Sequence, residues 1–378
     1  MKTVYLTGGT GFLGSHFIRN YLSTREYDVQ CFVRGGCDDA CTHRMRQTVI
    51  AVNASYPHKT PMHLEGVTGV RADITLPQLG LSDRWFELAK KKASGSTFLQ
   101  FASSLNFEEK NRDVIYNHNI QGLKHAVDVA SVLRCGVFFY ISTAYTAGIH
   151  DGLVDEQLHR PEAFNNYYEE TKCAAEHMVM ELCGARGMRV VIVRPSVVIG
   201  PSESCGTGGS KTGLYGLIRD MHRLKRHLKQ IRGPVAAYIN PDAGVNFIPV
   251  DYVCHDIFRL FEDPCVKSGL HHATADNNVS IGVLVELIAR HLELPAVTLE
   301  RLEMLDFERA SPIEKLLART MAYYNSITRT TKQFEKSGGA RWNLGMDEVE
   351  RYVIEGVRAV ESVENQTPVG RDLVTKIH

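Results

Sequence analysis

The sequence predicts an α/β fold, a doubly wound parallel sheet followed by a smaller, mainly helical C-terminal subdomain. Three observations carry this. Short apolar runs alternate with helical patterns as far as residue 200, the signature of strand–helix–strand crossovers. The first run, Val4-Tyr5-Leu6-Thr7, enters a glycine-rich turn that opens a helix marked by Leu13, Phe17, Ile18 and Tyr21. Beyond residue 200 the alternation yields to helical stripes.

In the turn, Gly8 permits the sharp reversal, Gly11 lets the backbone approach a pyrophosphate, and Gly14 lets the helix pack closely on the strand. The phosphates are expected at the helix N-terminus, where free N–H groups and the dipole favour negative charge. The second strand reads Val29–Val33 and ends at Arg34, with Arg44 and Arg46 following. An acid at this position holds the ribose 2′-hydroxyl of NAD, whereas a guanidinium suits the 2′-phosphate of NADP(H). One helix and a loop are expected over 40–66. Val67–Val70 forms a third strand, and Asp73 falls where a side chain can meet the adenine edge.

Phe98–Ala102 is the fourth strand, and the small residues Ala102, Ser103 and Ser104 allow a dinucleotide to cross its carboxyl end. A helix over Asn119–Leu133 leads to the strand Val137–Ile141, which runs into Ser142-Thr143. A helix over Asn166–Leu182 closes at Gly184 as a C-cap, and Arg189–Val193 is a sixth strand ending at Arg194-Pro195. Ser204–Gly216 reads as a mobile loop beside the site or as linker. Pro249, at a first-turn position, starts a stripe of Val250, Val253, Ile257 and Phe261; Ser280 caps another of Ile281, Leu284, Val285 and Ile288. The expected division is a Rossmann-type nucleotide domain over 1–200 and a substrate-side subdomain over 201–378, with 245–275 returning to the first.

Lys plus Arg and Asp plus Glu stand at 43 each, so net charge argues for neither nucleic acid nor an anionic membrane. No apolar run is long enough to span a bilayer, and no cleavable leader is visible. The nine cysteines are an odd number scattered singly, which predicts reduced thiols in a cytoplasmic protein. Cys37, Cys41 and His43 lack a second ligand pair at finger spacing, so no metal is expected.

Tyr168 and Lys172 stand four apart on one helix face. Beside a dinucleotide the ammonium favours phenolate over phenol and holds a ribose hydroxyl. Thr143 brings a hydroxyl to the end of the fifth strand, near a substrate carbonyl. Singly these are ordinary residues. In this order, behind a glycine turn, they specify carbonyl chemistry.

Thr7-Gly8-x2-Gly11-x2-Gly14, Ser142-Thr143, Tyr168-x3-Lys172 and Arg194-Pro195 resemble an extended short-chain dehydrogenase/reductase over nearly the whole chain. Cys31-Phe32-Val33-Arg34 with Arg44, Ala72-Asp73-Ile74, Ser104-Leu105-Asn106-Phe107 and Asn246–Val253 resemble one branch: the thioester reductases of peptide and polyketide synthases, carboxylic acid reductases and fatty acyl-CoA reductases. The resemblance implies Thr143, Tyr168 and Lys172 as the catalytic set and NADPH as hydride donor. It implies cofactor contacts from Thr7, Gly8, Thr10, Gly11, Phe12, Leu13 and Gly14 in the turn. Arg34 and Arg44 would hold the 2′-phosphate, and Asp73 and Ile74 the adenine. Ala102, Ser103, Ser104, Asn119, Ser142, Lys172, Pro195, Ser196 and Val197 complete the set. Gln100-Phe101-Ala102-Ser103 replaces the common His-x-Ala-Ala, and Asn119-Ile120-Gln121-Gly122-Leu123 replaces Asn-x-x-Gly-Thr.

The leading expectation is NADPH-dependent reduction of an acyl thioester, small or carrier-tethered, to the aldehyde or onward to the alcohol. The same residues also suit a reductase or epimerase of a free ketone, enone, aldehyde or nucleotide sugar. A non-catalytic NADP(H)-binding regulator is the third reading. The basic stretch Arg223–Arg232 reads as a dock for an acidic carrier protein or CoA phosphates, or as a solvated helix face.

Overall fold

The computed structural model describes residues 2–24, 27–90, 95–107, 109–228, 235–294, 297–325, 328–339 and 341–366. Its first half alternates strands β1 (Lys2–Thr7), β2 (Tyr27–Val33), β3 (Val67–Arg71), β4 (Thr97–Gln100), β5 (Val137–Ile141), β6 (Gly152–Val154) and β7 (Arg189–Pro195) with helices. These helices are α1 (Phe12–Phe17), α2 (Asp38–Ala54), α3 (Asp83–Lys90), α4 (Arg112–Tyr116), α5 (Gly122–Val132) and α6 (Tyr167–Gly184).

The second half holds short strands β8 (Val197–Ile199), β9 (Val235–Tyr238), β10 (Gly244–Val245), β11 (Phe247–Pro249), β12 (Gly269–Ala273), β13 (Val279–Ser280), β14 (Val297–Glu300) and β15 (Lys332–Phe334). Between them run α7 (Leu214–Leu228), α8 (Val250–Glu262), α9 (Ile281–His291), α10 (Pro312–Asn325) and α11 (Met346–Gln366).

Seven strands form one parallel sheet in the order β12-β7-β5-β4-β1-β2-β3. The chain winds from β1 outward through β2 and β3, then crosses back to β4 on β1's other side. That reversal is the switch point, and ligands of such sheets bind outside the strand ends there. Both faces are buried, which is why the strands read as apolar runs. Val4 and Leu6 pack with Phe17, Met45, Val49 and Ile257 from α1, α2 and α8. Between them, Tyr5 points to the other face, with Phe98, Phe138, Leu123, Ala126 and Val179. A separate core joins Leu217 and Ile218 of α7 to Leu284 and Ile288 of α9 and Tyr352 and Val353 of α11.

The six major strands of the first half stand where the apolar runs predicted them, and β12 adds a seventh beside β7. Four details differ. The helix expected to start at Asn119 begins at Arg112 and widens into a π turn over Asn117–Gln121 before α5. Gly184 lies inside α6, and the left-handed cap is Gly187 (φ +69). There the Met188 and Gly187 N–H groups close back on the Cys183 and Gly184 carbonyls, the pattern of a Schellman motif. Pro249 ends β11 as the N-cap of α8, one residue before its first turn. Ser280 is the N-cap residue of α9, but its hydroxyl donates to the Pro241 carbonyl at 3.1 Å instead of capping.

Candidate active site

Where β1 meets α1, Gly8 adopts φ +71, and a Cβ on it would stand 2.5 Å from the Ala102 backbone nitrogen. A Cβ on Gly14 would stand 2.5 Å from the Gly8 carbonyl oxygen. Neither position admits a side chain. The Gly11 N–H donates to the Gly8 carbonyl at 2.9 Å and closes the turn. Thr7 fastens β1 to β4: its hydroxyl donates to Gln100 Oε1 at 2.7 Å and accepts the Ala102 N–H at 3.3 Å. Gln100 also donates to the Ala102 carbonyl at 2.9 Å. Gln100 thus holds the β4 end in place through its amide.

These elements wall a cavity of about 460 Å³ across the carboxyl ends of the strands. Thr7, Gly8, Thr10, Gly11, Phe12, Leu13 and Gly14 line one end. Arg34 and Arg44 line it beside the turn, where Arg44 donates to the Arg34 carbonyl at 2.9 Å and to Thr10 Oγ1 at 3.3 Å. Ile74, Ala102 and Ser103 continue the wall, and Ser142, Pro195, Ser196 and Val197 lie toward the other end with Thr143, Tyr168 and Lys172.

Three residues expected at the cofactor do not line this cavity: Asp73, Ser104 and Asn119. Asp73 Oδ1 accepts from both the N–H and the hydroxyl of Thr75, which turns the carboxylate into its own loop. Asn119 is buried and brackets Ser104, accepting its N–H at 2.7 Å and donating to its carbonyl at 3.3 Å. It also donates to Thr171 Oγ1 at 3.1 Å, so it shapes the β4 loop against α6. Nearby, a Cβ on Gly122 would stand 2.7 Å from Ile74 Cγ1, so α5 can pack this closely on a cavity wall only without one.

Helix α6 aims Tyr168 from a capped start. The Asn166 side chain accepts the Glu169 N–H at 2.9 Å, while the Glu169 carboxylate accepts the Asn165 N–H at 3.2 Å. This is close to a capping box. The Tyr168 ring lies 5.1 Å from that of Phe107. Thr143 accepts the Tyr145 N–H at 3.3 Å, leaving its own proton to be donated. Lys172 is buried; its Nζ donates to the Ile141 carbonyl at 2.7 Å and lies 5.9 Å from the centre of the Tyr168 ring. The Tyr140 ring is nearer, at 4.7 Å, so the ammonium is held from beneath by an aromatic face. Burial lowers Lys172 to about 7, with Glu176 opposing.

Several lining residues escaped the sequence reading. Glu169 borders the cavity beside Tyr168, and burial raises its carboxyl to about 7 against the Asn165 hydrogen bonds. Its Asn-x-x-Glu spacing was readable as a cap, but not its second exposure to the cavity. Leu105, Phe107, Tyr145 and His118 also line it. Leu105 and Phe107 lie in a stretch the sequence singled out without assigning a role. Ser210, Thr212 and Gly213 place the Ser204–Gly216 segment beside the site. It is anchored by His16, whose Nε2 lies 2.9 Å from the Gly208 carbonyl and whose Nδ1 lies 2.8 Å from the Tyr56 hydroxyl. Burial lowers His16 to about 4; a neutral ring must donate to the carbonyl from Nε2 and accept from Tyr56 at Nδ1.

Arg194 explains the Arg-Pro element. Fully buried, it meets the Glu176 carboxylate at 2.6 and 2.9 Å and donates to the Asp155 and Gln157 carbonyls. That ties α6, β7 and the chain after β6 behind Pro195.

The cavity fits a dinucleotide on its own geometry. The glycine cradle excludes side chains, guanidinium groups flank one end, and Ser142 and Ser196 line it with buried hydroxyls that have no partner among the described residues. Fold and site define an NAD(P)-binding member of the extended short-chain dehydrogenase/reductases. Residues 6–257 match the Male sterility protein family of NAD-binding domains, and the chain belongs to it.

The chain is 28% identical over 282 residues to L-2-aminoadipate reductase of Saccharomyces cerevisiae, covering 69% of this chain and 19% of that protein. It thus spans about a fifth of that relative's length. Its structure is similar to the terminal R domain from the myxalamid PKS-NRPS biosynthetic pathway, with a TM-score of 0.73 at 20% identity over 98% of this chain and 93% of that one. It is also similar to a thiolation-reductase di-domain from an archaeal non-ribosomal peptide synthetase, with a TM-score of 0.69 at 18% identity over 96% and 76%. At such identities the structural likeness shows the fold.

No helix among the described residues is long and apolar enough to cross a membrane. All nine cysteines are free; Cys41 is buried with its thiol on the Val33 carbonyl, while Cys37 is exposed.

Proposed function

We propose that this protein is an NADPH-dependent reductase of acyl thioesters, acting through Thr143, Tyr168 and Lys172. The observation that carries the reading is one continuous cavity running from the glycine turn and the Arg34–Arg44 pair to those three side chains. Relatives named as a reductase and as a thiolation-reductase di-domain support a thioester as the substrate. Arg34 and Arg44, with Arg44 braced on Thr10, support NADPH over NADH because two guanidinium groups match a 2′-phosphate.

A nicotinamide cofactor, when bound, would supply a hydride to the carbonyl carbon. Thr143 donates a hydrogen bond to the carbonyl oxygen, and Tyr168 donates the proton that neutralises the oxyanion as it forms. Lys172, held by the Ile141 carbonyl at 2.7 Å and 5.9 Å from the centre of the Tyr168 ring, would hold a ribose hydroxyl of the cofactor. The resulting thiohemiacetal breaks its C–S bond; the hydroxyl loses its proton, the thiol leaves with one, and an aldehyde remains. A second hydride to that aldehyde would use the same residues.

The substrate is presented on a carrier arm or on CoA. Within the basic stretch, Arg223 pairs with Asp220 at 3.5 Å and Lys225 with Glu361 at 3.5 Å. Residues 229–232 of that stretch lie outside the described residues. These ion pairs use part of the charge that a carrier would meet.

The test is NADPH oxidation with acyl-CoA and acyl-pantetheine thioesters, thiol release followed in parallel and NADH run beside it. Equal oxidation and thiol release support reduction to the aldehyde, and a two-to-one ratio supports reduction to the alcohol. Oxidation with free carbonyl compounds but without thiol release from any thioester rejects the proposal.

A further inference from the structure

Past the far end of the main cavity lies a second, small one of about 30 Å³ between β8, β11, α7, α9 and α10. Val197 and Gly213 line both, so the two cavities adjoin there. Gly213 holds φ +57, and a Cβ there would stand 3.0 Å from Val197 Cγ1. A side chain there would crowd the place where the two cavities adjoin.

The second cavity's walls are Leu214, Leu217, Phe247, Ile281 and Leu284, and they present only apolar surface. Two further lining residues carry hydroxyls, and both are spent elsewhere. Tyr324 donates to Asp220 Oδ2 at 3.0 Å, and Thr328 donates to the Tyr324 carbonyl at 3.1 Å. A space of this kind offers water no partners and takes apolar groups. A charged or hydrogen-bonding group entering it would lose its hydration without compensation.

We propose that this cavity seats the end of an unbranched apolar acyl chain, so that the preferred substrates are alkanoyl thioesters rather than acetyl-sized or charged acyl groups. The proposal rests on the thioester reading of the main site, and it deepens that reading by assigning chain length to a wall of the C-terminal half. The chain runs from the carbonyl at Thr143 and Tyr168 past Val197 and Gly213. Its last carbons lie against Leu217 and Leu284. Leu284, on α9, touches only the second cavity and sets its depth.

The experiment measures kcat/KM with NADPH for pantetheine thioesters from acetyl to dodecanoyl, on the full chain and on Leu284→Phe and Leu284→Ala. Each methylene that reaches the cavity raises kcat/KM about fourfold until the space is filled. Leu284→Phe shortens the optimum by about two carbons and lowers the decanoyl-to-acetyl ratio about tenfold, while Leu284→Ala lengthens the optimum. Melting curves on both variants exclude unfolding as the cause. Turnover that is flat with chain length, or an optimum that Leu284→Phe leaves in place, overturns the pocket assignment while the thioester reading stands.

Calorimetry with non-reducible S-alkyl-pantetheines on NADP-loaded protein reads the same pocket without turnover. Affinity that climbs with alkyl length and is cut short by Leu284→Phe supports the pocket even if no thioester is reduced. In that event the thioester reading alone fails. No binding by any member overturns the pocket whatever the chemistry.

Discussion

The dinucleotide-binding half and the C-terminal half both bury apolar clusters, yet they are assembled by different means. In the first, each strand of the parallel sheet up to β7 is joined to the next through a covering helix, and the ligand cradle is backbone: Gly8 and Gly14 admit no Cβ. In the second, strands of two to five residues pair across long stretches of chain. β9 pairs with β14 and β10 with β13, and β15 reaches back to pair with β6 of the first half. The cavity walls there are side chains such as Leu217 and Leu284. A backbone cradle fixes one ligand shape, because no substitution can enlarge it. A wall of leucines can be recut without moving the chain. The difference fits a dinucleotide at one end and the acyl group we propose at the other.

The comparison can be broken most sharply at the chemistry, which belongs to neither half's packing. Tyr168→Phe deletes the proposed proton donor and leaves the glycine turn intact. Turnover should fall by about 10²–10⁴-fold while NADPH affinity, followed by fluorescence titration, holds. Retained turnover would remove Tyr168 from the mechanism.

Next comes the tie between the halves. Glu176→Gln leaves Arg194 charged and fully buried without its counter-ion, a loss of about 3–5 kcal/mol in urea unfolding. Because Arg194 also holds the chain after β6, whose partner is β15, the loss should appear in both halves at once. Unfolding in two separated steps would show that the halves are not tied there.

A pH titration separates Lys172 from its surroundings. Burial lowers it from 10.5 to about 7, so between those values the unfolded chain binds the proton that the folded chain has released. Stability without cofactor should therefore rise with pH across that window, with the full cost of the buried ammonium present below about 7. Lys172→Met should flatten the slope, a difference on the order of 2 kcal/mol between about pH 7 and 9. An unchanged slope would place the titration elsewhere.

The smallest effect sharpens the backbone side. Gly8→Ala meets the Ala102 nitrogen and a positive φ, and should lose about 1–3 kcal/mol of stability together with dinucleotide affinity. Gly36→Ala, with nothing within 4 Å, should lie within about 0.5 kcal/mol of wild type. Equal losses from the two would mean that the cradle is not close-packed.

Legibility in the sequence followed the same division. The glycine turn, the strands ending at Val33, Ile141 and Pro195, and the Tyr168–Lys172 pair were readable because each is set by residues within a few positions of one another. Gly184 was misjudged as a cap because either glycine suits a helix end, and the hydrogen bonds closing on Cys183 choose Gly187. Asp73 and Asn119 stood at the expected distances along the chain, but local acceptors and donors had already engaged their side chains. Glu169 was legible as a helix cap alone, since its view of the cavity depends on loops contributed from elsewhere.

By itself the sequence determined the parallel α/β fold, the glycine turn after β1, Arg34 at the end of β2 and the order of Thr143, Tyr168 and Lys172. Backbone preference and periodicity are local, so they survive in the linear text. Only the tertiary structure decided that Lys172 rests on the Ile141 carbonyl above Tyr140, that Arg194 is neutralised by Glu176, and that a second apolar cavity lies behind Val197 and Gly213. Those features require segments distant along the chain to close on one another, and burial then sets their charge and shape.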